Sequence, residues 1–346
     1  MPKIYVFNLL LMMATVSCSQ PQSNDQESKK QKALIENIVE QFNNNYVFPE
    51  VAKEMGEHLY DQLEKEAYTG LDSKELAAQL TQDMRSITHD KHVRINCIER
   101  DANNKPTNSL VDIHKRFKNY GFEETKILEG NIGYIDMRLF FPINTDHNAK
   151  KVVHKIMNQM ASTDALIIDL RKCVGGSPEM ISLLVSYLYP EDTIIHLNNF
   201  FYRPTNSTFK SYTLKEIDGD RLPDMPVYIL TGAKTFSAAE EFCYDLKNLK
   251  RATLVGATTG GGAHTVEPRK INNDFEMSLP TGRAINPITK TNWEGVGVSP
   301  HRAVSEEQAL TKAHILALQS LAETITSNEQ KARYDEVIQK LSTEVN

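Results

Sequence analysis

The chain has 346 residues, 40% of them apolar and 24% charged, an ordinary globular balance with room for one large domain and a small one. A net charge of -6 argues against the basic face with which nucleic-acid-binding domains hold phosphate backbones.

At the start, Lys3 precedes an apolar run from Val6 to Val16, broken by Asn8 and Thr15 and followed by Ser17-Cys18. The run falls short of the roughly 20 apolar residues that a spanning helix needs and has the form of a signal-peptide core. A small residue before a cysteine at that point is similar to a bacterial lipobox, although Thr15 replaces the usual aliphatic residue. The expectation is a lipoprotein-type signal peptide over residues 1–17 and a lipid anchor on Cys18; a plain signal peptide with an incidental cysteine is the other reading. Either places the mature chain outside the cytoplasm; with the anchor as its membrane contact it is expected in the cell envelope of a bacterium, at the outer membrane or periplasmic face. Cys97, Cys173 and Cys243 remain, an odd set without a C-x-x-C pair, so neither a disulfide framework nor a zinc site follows.

Residues 18–30 are polar and read as a tether. From Ala33 the pattern turns helical: Ile35, Ile38, Val39 and Phe42 recur on one face. Pro49 can open a second helix carrying Met55, Leu59 and Leu63. Asp72-Ser73-Lys74-Glu75 has the capping-box form before a third helix with Leu76, Leu80, Met84 and Ile87 on its apolar face. These make a three-helix bundle over residues 31–95. Further on the period changes. Strands are expected at 132–137, 165–170, 227–230, 253–255 and 275–279, with helices near 147–161, 178–189 and 238–250, an alternation that predicts an α/β core over 96–325. The last forty residues are helical in pattern, with a C-terminal helix at 326–346.

Four segments could carry chemistry. In Thr235-Phe236-Ser237-Ala238-Ala239-Glu240 a serine stands where a strand gives way to a helix, and free N–H groups at a helix start favour developing negative charge. Ser237 and Glu240 also form an S-x-x-E capping box, which alone accounts for a serine there. In Asp169-Leu170-Arg171-Lys172-Cys173-Val174-Gly175-Gly176 two glycines follow a buried strand and could present N–H groups as an anion nest, or simply turn the chain. Thr258-Thr259-Gly260-Gly261-Gly262-Ala263-His264 is glycine-rich without the spacing of a phosphate or dinucleotide loop. The fourth, Trp293-Glu294-Gly295-Val296-Gly297-Val298-Ser299-Pro300, reads alone as a turn with a carboxylate.

In chain order, after a helical region ending in Asp90-Lys91-His92, these segments resemble the S41 family of serine peptidases, which includes C-terminal processing proteases, the tricorn core and retinoid-binding modules. D-L-R-x-x-x-G-G, F-S-A-A-E, T-T-G-G-G-A-H and W-E-G-x-G-V-x-P carry the likeness. It implies an α/β fold with a crotonase/ClpP-like ββα core behind the N-terminal three-helix bundle. The interval from His92 to Asn131 is too short for the PDZ domain of processing proteases, so none is expected.

The resemblance also implies roles. Processing proteases use a lysine 25 residues beyond the serine, where this chain has Gly262. The tricorn-like branch instead takes its base from the helical domain and orients it with a glutamate, which points to Ser237 as nucleophile, His92 as base and Glu294 as orienter. Ala238 with Gly175 or Gly176 would form the oxyanion hole. Lys91 stands where that branch has a serine, Cys173 where the family has asparagine, and His301 where it has aspartate. His264 is a rival base, and His89 reads as a solvated helix-end residue. No metal or other cofactor is expected, and the substrate would be a peptide or protein. The competing function is a non-catalytic binding protein for a hydrophobic ligand or peptide on the same fold; an acyl hydrolase or transferase is a third.

Overall fold

The computed structural model describes residues 21–109 and 116–344. The expected signal peptide and Cys18 lie outside them. The chain begins with α1 (Pro21–Asn45), α2 (Pro49–Glu64) and α3 (Ser73–Thr88). Helix α1 takes in residues 21–30, which the polar composition assigns to a tether; residues 26–30 are exposed, and Gln31, Leu34 and Ile35 are buried. Asp72 caps α3 by accepting from Lys74 and Glu75 N–H at 2.8 and 2.9 Å, while the Glu75 carboxylate accepts from Asp72 N–H. His89 ends α3 in the left-handed region at φ +53°, which turns the chain sharply into Asp90 and His92.

The remaining elements are β1 (Arg94–Cys97), β2 (Phe122–Leu128), β3 (Ile132–Met137), α4 (His147–Met160), β4 (Ala165–Asp169), α5 (Pro178–Ser186), β5 (His196–Tyr202), β6 (Ser207–Tyr212), β7 (Val227–Thr231), α6 (Ala238–Asn248), β8 (Thr253–Gly256), β9 (His264–Lys270), β10 (Phe275–Ile285), β11 (Arg302–Ala303), α7 (Ala309–Thr324) and α8 (Asn328–Glu344). One sheet runs in the order β11-β8-β7-β4-β3-β2, parallel except at its β2/β3 edge. Strands β3, β4 and β7 are buried along their whole length, as parallel strands covered on both faces must be. Helices α7 and α8 cover one face through Ala309, Ala313, Ala317, Leu318 and Tyr334, and α4, α5 and α6 pack in the main core on the other.

A second sheet is built on the long strand β10, which pairs antiparallel with β9 along one edge and with β1 and then β5 along the other; β6 continues beyond β5. The bundle is not an independent body. Its core of Ile35, Ile38, Phe42, Met55, Leu80 and Met84 is continuous with Phe275, Met277 and Leu279 of β10. Burial of these apolar faces drives the docking, at about 25 cal/mol per Å² removed from water. Polar contacts then fix the register: Val47 N–H donates to Pro280 O at 3.0 Å, and the Arg203 guanidinium donates to Tyr46 O and Asn43 O at 2.7 and 2.6 Å. Strand β1 therefore straddles the expected boundary at residue 95, belonging to the second sheet while α3 packs against it.

Candidate active site

Strands β4 and β7 are parallel neighbours, and the loops leaving their carboxyl ends bring the first two motifs together. The D-L-R motif is a clamp. Arg171 holds Asp169 through Nε and Nη2 at 2.9 and 2.5 Å, and Tyr134 Oη donates to the same carboxylate at 2.8 Å. Burial would raise the Asp169 carboxyl, but Arg171 outweighs it and holds the group below its ordinary range. Arg171 also donates to Glu306 O, and Glu306 Oε1 accepts from Ala233 N–H at 2.7 Å, so this motif fixes the loop that leads to the serine.

Ser237 is the N-cap of α6 and sits at φ +55°, ψ -123°, a backbone region costing a non-glycine residue roughly 1–3 kcal/mol. Three contacts hold it there: Thr235 Oγ1 donates to Leu170 O at 2.8 Å, Phe236 N–H to Cys173 O at 3.1 Å, and Ser237 N–H to Glu240 Oε2 at 3.0 Å. Gly175, at φ +101°, comes so close that a Cβ there would lie 2.7 Å from Ser237 Cβ and 3.0 Å from Ala238 N; no side chain fits between the loops. The Gly175 N–H is engaged by the Cys173 thiol, which burial pushes up to about 12. Gly176 forms a parallel bridge to Phe140, in which Gly175 O and Ser177 N–H bond Phe140 and the Gly176 N–H faces away, on the side of the cavity it lines with Ser237. The Ala238 N–H is in the first helical position, which has no intrahelical acceptor.

Glu240 organises the third motif. Besides Ser237 N–H it accepts from Gly261 N–H at 2.6 Å, Gly262 N–H at 2.8 Å and the Thr259 hydroxyl. Lys91 Nζ, on the bundle side, donates to Gly260 O at 2.6 Å. The Trp293 indole donates to Gly262 O at 2.7 Å and the Ala263 N–H to Glu294 Oε2 at 2.5 Å, which brings in the fourth motif. At Gly262 an added Cβ would stand 2.3 Å from Phe236 Cζ and 2.7 Å from His92 Cε1. The space that a residue-262 side chain would enter is filled by those two rings, whose centroids are 4.6 Å apart.

His92 is buried, and neither ring nitrogen has a hydrogen-bond partner among the described residues. Its nearest carboxylate is Asp90, with Oδ1 at 3.6 Å from Nδ1. Asp90, His92 and Glu294 each place one ligand-type atom within 4.8 Å of the others, a spacing that would also suit a divalent ion. His264 faces the same carboxylates, its Nδ1 2.6 Å from Asp90 Oδ2 and 3.6 Å from Glu294 Oε2. Tyr46 Oη donates to Asp90 at 3.3 Å. Burial alone would raise the Asp90 carboxyl, but the two histidines hold it well below its ordinary value. Burial alone would lower His264; its bond to Asp90 and the charge of Glu294 raise it instead. Glu294 is raised by burial and by the Asp90 charge, with His264 opposing, and its Oε1 has no partner among the described residues.

Ser237, Ala238, Gly176 and His264 line one cavity, with Gly175 packed against Ser237, the His92 ring against Phe236 and Glu294 Oε2 bonded to Ala263 N–H. Their sources are five separate segments. Two further residues belong to the cluster. Asp90 touches both histidines, and its place two residues before His92 was its only signal in the sequence. Glu241 lines the cavity beside Ser237, with Phe200, Tyr202 and Trp293.

The description of peptidase family S41 matches residues 131–304, and that of the N-terminal domain of Peptidase_S41 in eukaryotic IRBP matches residues 27–123. The chain belongs to peptidase family S41. Among curated relatives of this S41 chain, a carboxyl-terminal-processing protease from Synechocystis sp. is 30% identical over 155 residues, 45% of this chain and 32% of that protein. The S41 chain therefore spans about a third of that relative's length. Two solved structures share its fold: a lipoprotein from Streptococcus agalactiae (TM-score 0.58, 16% identity, 91% of this chain and 100% of the other) and a putative peptidase from Parabacteroides merdae (TM-score 0.54, 17% identity, 80% and 90%). No described helix is long and apolar enough to cross a membrane.

Proposed function

We propose that this S41 chain is a serine peptidase that hydrolyses peptide bonds through an acyl-enzyme on Ser237. The observation that carries the proposal is the convergence of a serine in a strained strand-to-helix turn, two N–H groups beside it and a buried histidine–carboxylate cluster. In the first step His92 takes the Ser237 proton as Oγ attacks the scissile carbonyl, and it returns that proton to the leaving amine as the C–N bond breaks; water then repeats the sequence to release the acid. With Nδ1 on the Asp90 side, Nε2 is the nitrogen left for the proton. Asp90 and Glu294 favour the imidazolium that forms, the part played by the third group of a triad. Ala238 and Gly176 N–H receive the oxyanion, each such donor contributing about 3–4 kcal/mol in serine enzymes.

His92 is favoured over His264 because its ring rests on Phe236, the residue before the nucleophile, and both its nitrogens are free. His264 has one nitrogen committed to Asp90 and its ring edge-on to Phe48, which suits holding Asp90 in place. A peptide or protein substrate, and an envelope location with a lipid anchor on Cys18, complete the reading. The S41 core match and the relative's carboxyl-terminal-processing description support the substrate class; the Ser17-Cys18 motif supports the location.

Labelling with a fluorophosphonate probe tests it. Wild-type protein is expected to label and Ser237→Ala to remain unlabelled. Absence of labelling in both would return the chain to the ligand-binding alternative.

A further inference from the structure

We infer that the cavity beside Ser237 receives a cationic side chain, that of a lysine or arginine preceding the scissile bond, with Glu241 as its charge partner. The inference rests on the peptidase reading for the word substrate, but the pocket's chemistry stands on its own contacts.

The cavity has a volume of about 160 Å³ and opens on Ser237, with Phe200, Tyr202, Trp293, His264 and Glu241 among its walls. That is the space of one extended side chain, well below the roughly 300 Å³ at which pockets for whole small ligands begin. No lysine or arginine lines it. Glu241 is 3% exposed; its Oε1 accepts no hydrogen bond of good geometry among the described residues, and the nearby Asn198 amide only partly eases its ionisation. The contrast with Glu240 is direct: that carboxylate accepts four hydrogen bonds and is fully employed in structure. A buried carboxyl is costly without partners, so an unsatisfied one in the wall of a substrate cavity calls for a ligand.

The groups facing Glu241 sharpen the sign. From α5 comes Glu179, from its own helix Asp245, from β5 Tyr202, and across the cavity from β9 His264. Asp245 is itself buried, with Asn286 Nδ2 on one oxygen at 3.0 Å and no partner on the other. Burial, and secondarily the charge of Glu179, push the Glu241 carboxyl up to about 8, with the Asn198 amide opposing. An entering ammonium or guanidinium reverses that shift by favouring the ionised form. The aromatic walls accept the methylene stem, which is how long cationic side chains are buried.

Trp293, the single tryptophan of the chain, reports occupancy by its fluorescence. In full-length Ser237→Ala, N-acetyl-lysine amide is compared with its norleucine and glutamine counterparts. The lysine compound is expected to bind at least about tenfold more tightly than norleucine, the difference widening from pH 6 to pH 9 as Glu241 ionises. Adding Glu241→Gln removes the preference; adding Asp245→Asn, which keeps Glu241, retains it. Equal affinities, a preference for norleucine or glutamine, or tighter binding of compounds with a free α-amine overturns the inference, and the first comparison needs no change at residue 241. Lysine preference in a protein whose wild type resists the fluorophosphonate would sink the peptidase reading and leave the pocket standing. A labelled wild type without the preference would sink the pocket alone.

Discussion

The two halves of the site are built in different ways. The Ser237 side is local: β4, β7, α6 and the loops between them belong to one core, and contacts such as Phe236 N–H to Cys173 O lock Ser237 without help from the bundle. The histidine–carboxylate side is an interface. Asp90 and His92 follow α3, His264 begins β9, and Glu294 lies in the loop after β10; they meet only when the bundle is docked on β10. Stability of the first therefore follows the main core, while the second depends also on the shared apolar surface of Phe275, Met277 and Leu279.

The largest test of this contrast is removal of the nucleophile. Ser237→Ala should lower kcat/KM on the order of 10⁶-fold, as loss of a triad serine does, with thermal unfolding unchanged within a few degrees. Next is the choice between the histidines. His92→Ala should cost a comparable factor, and His264→Ala only about 10–100-fold, through a displaced Asp90; the reverse order in single-turnover assays would transfer the base to His264. Asp90→Asn should fall between, at about 10³–10⁴-fold, since it leaves the imidazole without its nearest anion. Gly262→Ala should displace the Phe236 and His92 rings, lowering activity by about 10²-fold while stability drops by about 1–3 kcal/mol. Equal losses of activity and stability there would show that the two halves are not separable.

The smallest effect is in pH. His264 is raised in the folded protein, so its contribution to stability is complete below the unfolded value near 6.5 and is lost as pH rises through the folded one. Asp90 is lowered, so its contribution is present above about 4 and fades as pH falls further. Denaturation curves should therefore show the greatest gap between wild type and His264→Gln from about pH 4 to 6.5, narrowing above it. A gap that widens toward pH 9 would mean that His264 is held neutral.

How far the sequence revealed this follows the same division. Ser237, Gly175 and Gly176 stood out at strand ends and a helix start, but turn and capping chemistry alone sufficed to explain them, and only the ordered combination of motifs that resembles the S41 family marked them as a site. The bundle helices were readable because one-sided burial imposes a helical period, and β3, β4 and β7 because burial on both faces leaves short continuous apolar runs. Strand β9 was not, since it carries Pro268 and alternating charges, and such a strand is tolerated because, among the described residues, β10 is its only partner. Strand β2, at the other sheet's edge, is similarly polar. Asp90 and Glu241 were out of reach for another reason. Each matters through what it faces across the fold, and adjacent glutamates at 240 and 241 look alike until one is seen satisfied and the other not.

The Lys91–Gly260 contact and the Trp293 indole on Gly262 both close onto a loop that lies far along the chain from the bundle. A polypeptide made from its N-terminus thus has His92 early, Ser237 later, and the residues that tie the two sides together last. The full constellation can assemble only once the chain has been made at least as far as Trp293.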